Sequence, residues 1–176
     1  MIYNLVLFIH IAGVLLLFAG LAIEWICILK ISNAITGEQI KEAVLLYSKL
    51  LIAGIGAAMT LLSGIYMAAT VWEGTSWVIS GLVGFFLIAL TGGLFTERKM
   101  KRAKKMIKNA DENLAGFFGN ANRLLLSIQL RTTILFGVVC LMTVKPGSLS
   151  CAIILLASVA IGLVPFKKAK ALTSKA

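Results

Sequence analysis

Five long apolar stretches dominate this 176-residue chain and leave only short polar segments between them. A bilayer core is about 30 Å thick and needs about 20 apolar residues of α-helix, which the first three stretches supply. The last two are shorter and share the turn Val144-Lys145-Pro146-Gly147-Ser148, which favours a helical hairpin. The sequence therefore predicts an all-α, polytopic transmembrane helical bundle in a single domain, 1–176. Its expected spans are, approximately, Leu5–Leu29, Leu50–Trp72, Trp77–Phe95, Leu124–Val144 and Leu149–Val164.

The basic residues predict how the bundle is oriented. With the N-terminus outside, almost every Lys and Arg falls on the inner side, as the positive-inside rule requires. The exceptions are Lys145, which falls outside, and Arg131, which lies within a span. The inner residues are Lys30, Lys41 and Lys49 in the first loop, Arg98, Lys99, Lys101, Arg102, Lys104, Lys105, Lys108 and Arg123 in the second, and Lys167, Lys168, Lys170 and Lys175 in the tail.

This orientation predicts a multi-pass protein of a bacterial inner membrane, with its C-terminus in the cytoplasm. The Lys and Arg residues that give the net charge of +10 lie beside membrane spans. Anionic lipid headgroups are therefore the expected partners, and nucleic acid is not. Residues 1–4 carry no positive side chain and the first apolar run is long, so we expect it to remain as a span rather than be cleaved as a signal peptide.

The second inner loop, 97–122, predicts a basic amphipathic helix. It either lies on the inner leaflet or extends the third span, and a partner protein is an alternative to lipid. Its apolar residues recur every three or four positions, at Met100, Ala103, Ile107, Ala110, Leu114 and Phe117. In the first inner loop, Thr36 followed by Gln39 forms a capping-box pattern, so a helix is expected to begin there and to continue towards the second span.

The first span carries a polar stripe, His10, Gly13, Leu17, Gly20 and Glu24, at alternating steps of three and four residues. At 3.6 residues per turn, His10 and Glu24 lie only about 40° apart around the helix. Polar side chains within a span usually face the bundle interior or water, so this stripe predicts a buried path or binding site. The alternative is structural: His10 hydrogen-bonded near the headgroups and Glu24 neutralising a neighbouring cation.

Arg131 of the fourth span is the expected partner of Glu24. Each lies roughly 9–12 Å inside the inner boundary, so an ion pair between them is predicted. The alternative is that Arg131 snorkels to the surface. Arg123, Ser127 and Arg131 share one helix face, and Gln129 with Thr133 adds a second polar edge, which makes Gln129 a further candidate for the site.

Small residues at four-residue steps predict close helix packing in the second and third spans, with a glycine-floored substrate groove as the alternative. These residues are Gly56, Thr60, Gly64 and Ala68 in the second span and Gly84 and Gly92 in the third.

Several chemistries have no basis in this sequence. With His10 the only histidine, a di-His metal site and an intramolecular bis-His haem clamp are excluded, and no metal ligand set is predicted. A haem would need His10 with a weaker ligand such as Met, or His10 from two protomers. No P-loop, G-x-S-x-G or H-E-x-x-H motif occurs, so no enzyme activity is assigned.

The first span also carries a family resemblance. His10-Ile11-Ala12-Gly13 with Phe18-Ala19-Gly20, and Leu62-Ser63-Gly64-Ile65-Tyr66-Met67 in the second span, resemble copper resistance protein D-like and allied uncharacterised small bacterial membrane proteins. The resemblance implies a bacterial inner-membrane bundle in which the first-helix histidine matters. The chain departs from copper-handling members because it lacks a Met ladder and further histidines.

Three functions follow as expectations. The first is passage of a proton, cation or small solute through the bundle or an oligomer interface, with His10 exchanging protons and Glu24 and Arg131 forming the inner charge pair. The second is haem binding or membrane redox work through His10. The third is a non-catalytic accessory subunit of a larger membrane complex or homo-oligomer, in which His10 and Glu24 tolerate substitution.

Overall fold

The computed structural model describes residues 1–49, 51–72, 74–109, 114–119 and 121–164, and these residues form helices without a strand. Leu50, Glu73, Ala110 and the four tail lysines lie outside the described residues. The helices are α1 (Ile2–Asn33), α2 (Gly37–Ser48), α3 (Ile52–Thr70), α4 (Ser76–Thr91), α5 (Arg98–Lys108), α6 (Leu114–Phe117), α7 (Asn122–Val144) and α8 (Ser148–Leu163), with a π-helical segment, Gly92–Glu97, joining α4 to α5.

Helix length and surface chemistry confirm the predicted class, a multi-pass transmembrane helical bundle. Among the described residues, four helical stretches are long and apolar enough to cross a bilayer, namely Ile2–Asn33, Gly37–Thr70, Ser76–Lys108 and Asn122–Val144. The hairpin helix α8 has 16 residues and reaches about 24 Å. Large apolar side chains point away from the bundle along these helices, as lipid contact requires. They include Phe8, Leu15, Leu62, Phe86, Phe136 and Leu156.

Two packing units make up the bundle. In one, α1 lies along α3 over most of its length. In the other, α7 packs against both α4 and α8. Contacts between α1 and α7 join the two units.

The α1–α3 interface depends on glycines. A Cβ added to Gly56 would lie 2.6 Å from the Leu17 amide nitrogen, and one added to Gly13 would lie 2.8 Å from the Thr60 amide nitrogen. The two backbones thus approach more closely than side chains would allow, which is how small residues drive helix association in membranes.

A small helical cap, made of α2, α5 and α6, covers one end of the bundle. Its N-terminal helix begins with a capping box, in which the Thr36 hydroxyl accepts from the Gln39 amide and the Gln39 side chain accepts from the Thr36 amide, as predicted. The apolar side of α2 packs against α1 and α5, where Val44 and Ala43 are fully buried. The ends of the helices opposite the cap, at Met1, Val71, Ser76 and Val144, are called the open end below.

The basic amphipathic helix extends the third span instead of lying beside the bundle. The π-helical segment carries α4 directly into α5. Met100 and Ala103 are buried, whereas the charged side of α5 is exposed. Its exposed residues are Lys101, Arg102, Lys104, Lys105 and Lys108.

Replacing Gly56 with Ala tests the α1–α3 interface. We expect Gly56→Ala to destabilise the protein by about 1–3 kcal/mol, because the added methyl group meets the α1 backbone. Thermal unfolding in detergent measures the effect. Gly54→Ala is the matched control, since nothing lies within 4 Å of a Cβ at that position. Equal melting temperatures for the two variants would contradict the close approach.

Candidate functional site

The polar stripe of α1 is buried along its whole length. His10, Gly13, Leu17, Gly20 and Glu24 all lie on the buried side of α1, as the sequence predicts. The two titratable side chains nevertheless belong to separate clusters. His10 faces α3, and Glu24 faces α7.

Glu24 and Arg131 form the predicted ion pair, so Arg131 does not snorkel. The Arg131 guanidinium donates from Nη1 to Glu24 Oε2 at 2.9 Å and from Nη2 to Glu24 Oε1, a two-point contact. Glu24 is 4% exposed and Arg131 is 6% exposed. A charge in a membrane span is costly unless it is paired, and this geometry provides the pairing.

The π-helical segment supplies further contacts to Arg131. The Thr96 hydroxyl accepts from Nη2 at 3.0 Å and lies 3.1 Å from the Ser127 hydroxyl. Arg131 Nε donates to the Ser127 carbonyl at 3.3 Å. All three nitrogens of the guanidinium therefore have partners, which offsets much of the cost of removing the charge from water.

Gly92, at the start of the same segment, makes room for the guanidinium. A Cβ at Gly92 would lie 3.0 Å from Arg131 Nη1. This glycine, which the sequence assigns to helix packing, thus borders the charge pair. Gly84 does lie in a helix interface, since a Cβ there would meet Val138 of α7.

A second contact holds α1 and α7 in register beside the ion pair. The Trp25 indole donates to the Thr132 hydroxyl at 2.9 Å, one residue along each helix from Glu24 and Arg131. Gln129 lies elsewhere. Its amide donates to the Val164 carbonyl at 2.7 Å and closes the C-terminal end of α8.

His10 is anchored to α3 through one ring nitrogen. Nδ1 lies 3.0 Å from the Thr60 carbonyl and 3.1 Å from the Ser63 hydroxyl. Because a carbonyl can only accept, Nδ1 carries the proton, and Nε2 is the lone-pair nitrogen of the neutral ring. Gly64 leaves space beside the imidazole, since its Cβ would lie 3.2 Å from His10 Cε1.

His10 lines a cavity of about 830 Å³ between α1, α3, α4 and α7. Although a short turn joins them, α3 and α4 do not pack along each other in the described residues, and the cavity occupies the gap. Its wall is predominantly apolar, with Leu61, Ile65, Leu82, Phe85, Leu135 and Val138 among the lining residues. The volume and lining are typical of a small-molecule site. Thr60, Gly64 and Ala68 of the small-residue series in the second span also line the cavity, where the alternative to close packing was a glycine-floored groove.

The mouth of the cavity is aromatic and basic. Trp72 and Trp77 meet edge to face with their ring centroids 5.3 Å apart. Lys145 Nζ lies 4.0 Å from the Trp72 ring centroid and 5.4 Å from that of Trp77. All three residues line the cavity at the open end.

The cavity stops before the charge pair. Leu17 and Ile88 line its deep end, whereas Glu24 and Arg131 are not in its wall. Beyond that floor the interior is closely packed, with Leu21 and Ile28 buried on α1 and Ile134 on α7. The two predicted site residues of α1 are therefore separated by an apolar layer, and the structure is closed towards the cap.

Some residues of the site were not predicted from the sequence. Thr96 is one of them, although it lies at the next four-residue step after Gly84 and Gly92, a spacing that could have indicated it. Ser63 stands among small residues and gives no sign of a histidine partner. Lys145 stands out in the sequence only as the basic residue on the wrong side for the positive-inside rule.

A double-mutant cycle tests the coupling of Glu24 and Arg131. We expect Glu24→Met and Arg131→Met to destabilise the protein by about 3 kcal/mol or more each, because each leaves a buried charge without its partner. The double variant should lose far less than the sum, as measured by thermal unfolding. Losses that simply add would show that the pair is not energetically coupled.

No known protein family, curated protein or solved structure matches this chain. The resemblance of its first two spans to the copper resistance protein D-like group therefore remains a prediction.

Proposed function

We propose that this protein binds a small, largely apolar solute in the cavity beside His10, as one step in moving it across the membrane. The observation that carries the proposal is the cavity itself, which is apolar, large enough for a small molecule and provided with a histidine nitrogen free of protein partners among the described residues. His10 would orient the solute through Nε2, by hydrogen bonding or by exchanging a proton.

We propose that the cap faces the cytoplasm of a bacterial cell and the open end faces outward. The support is charge: the cap and helix ends beside it carry nearly all the described Lys and Arg residues, in agreement with the positive-inside rule. The exposed lysines of α5 would then lie near anionic headgroups of the inner leaflet.

The arrangement fits one end state of a carrier. Carriers hold solute near the bilayer midplane and open to one side at a time. Here the cavity would be open outward, and the layer around Leu17, Ile88 and the Glu24–Arg131 pair would close the inner side. Passage of solute requires this layer to part, so the ion pair would act as part of the inner closure.

Filling the cavity tests the binding step. Ala68 lines the cavity, so we expect Ala68→Phe to reduce the apolar compounds that copurify with the protein in mild detergent. Mass spectrometry of an organic extract measures them. Ala58→Phe, on the exposed side of the same helix, is the matched control and should behave like the wild type. Identical extracts from all three proteins would contradict binding in the cavity.

Haem binding is a second candidate, because two thioethers share the cavity with His10. Met67 and Met142 both line it, and Met67 lies one helical turn beyond Ser63, which contacts His10. His10 with one of these sulfurs would be the ligand set expected from the sequence.

Absorbance spectra of the purified protein decide this candidate. A Soret band in the wild type that is lost in His10→Ala would establish haem binding and displace solute transport as the leading function. A spectrum without that band, in protein produced with ample haem, would exclude the candidate.

A further inference from the structure

We propose that the solute is an anionic amphiphile, with its acyl-like chain in the cavity and its carboxylate or phosphate at Lys145. This inference rests on the proposed function and names its substrate class. The juxtaposition that carries it is a cation held between two tryptophans at the mouth of a long apolar cavity.

Lys145 places a positive charge at the mouth of the cavity. Among the described residues that line the cavity, it is the one charged side chain. No carboxylate of the described residues pairs with it, and its contacts are the two indole faces. A cation held over aromatic rings keeps its donors available at the edge of the cavity, so an anion entering the mouth is attracted and a second cation is repelled.

The backbone at Lys145 supports a role for its side chain. Lys145 ends α7 in the left-handed conformation, with φ 49° and ψ 54°, and it is the non-glycine residue with positive φ in the described chain. Glycine is the usual residue at such a helix end, because a side chain in the left-handed conformation is disfavoured by its Cβ. Local strain of this kind is common at ligand-binding positions.

The cavity is elongated along α1. On α1 it is lined by Tyr3, Leu7, His10, Val14 and Leu17, one stripe that extends about 21 Å along the helix. The same space lies between α3 and α4, which do not close on each other. An extended hydrocarbon chain fits a long apolar space of this kind, and the gap between two lipid-facing helices offers a route from the bilayer.

These features indicate how the ligand would be oriented in the cavity. Its head group would stay at the membrane surface beside Trp72, Trp77 and Lys145, at the depth where tryptophan is favoured. Its chain would pass His10 and end near Leu17 and Ile88. Phosphate and carboxylate heads share this chemistry, so the source of the ligand is either a free long-chain acid or an anionic lipid.

Three probes with one chain length test the charge preference. Dodecanoate, dodecanol and dodecyltrimethylammonium share a twelve-carbon chain and carry an anionic, a neutral and a cationic head group, respectively. Their binding to the protein in phosphatidylcholine nanodiscs is measured by native mass spectrometry. We expect the wild type to prefer dodecanoate to dodecanol about fivefold, the upper range for an exposed ion pair, and to bind the cation least.

Substitutions at Lys145 locate the preference. Lys145→Gly suits the left-handed backbone, so this variant should fold and should bind dodecanoate and dodecanol equally. Lys145→Arg keeps the charge and should keep the preference. A preference unchanged in Lys145→Gly, or absent from the wild type, would overturn the anionic substrate class.

Two further measurements separate the remaining outcomes. Binding of all three probes with equal strength, lost in Ala68→Phe, would retain the proposed function and overturn only the anionic class. Binding of none of them would overturn both. If the anionic preference holds, competition by phosphatidylglycerol in the nanodisc identifies a bilayer lipid as the source, and its failure to compete identifies a free acid.

Discussion

The buried ion pair between Glu24 and Arg131 is the interaction on which the rest of this bundle depends. A carboxylate and a guanidinium in the interior of a membrane protein are tolerated only together, so α1 and α7 must meet at one depth and one rotation. One residue along each helix, the hydrogen bond from the Trp25 indole to the Thr132 hydroxyl fixes the same alignment of α1 and α7. Because α3 packs on α1, and α4 and α8 pack on α7, both packing units take their relative position from this contact.

The same constraint separates two environments within the bundle. On the cap side of the ion pair, side chains from α1, α2, α5 and α7 pack into a continuous apolar core. On the other side, α3 and α4 diverge, and the interior is a cavity with His10 in its wall. The glycines on α1 and α3 bring those helices together without filling the space next to them. A closely packed half and a half that contains a cavity thus coexist in the described part of the bundle.

Most of the fold could be predicted from sequence, because membrane spans are recognisable by their apolar composition and their length. The capping box at Thr36 and the pairing of Glu24 with Arg131 were also predictable, the first from a local motif and the second from depth and charge. The cavity was not. It depends on the failure of α3 and α4 to pack together, and the spacing of Gly64 and Ala68 would equally suit a tight interface. Gln129 was a candidate for the site because of its polarity within a span, and in the structure its amide donates to the Val164 carbonyl at the end of α8.

The π-helical segment, Gly92–Glu97, has a consequence for how the third span faces its neighbours. A π-turn closes its hydrogen bond over five residues where an α-turn uses four, so the segment acts as an insertion that the helix absorbs without a loop. Twelve residues separate Ile88 from Met100, which would place them about 120° apart around an uninterrupted α-helix, and the wider turn of the π-segment reduces that offset. Thr96 is thereby placed towards α7 in a helix whose apolar period on either side stays regular. A single continuous helix can in this way keep its buried side towards both the membrane-spanning bundle and the cap beyond it.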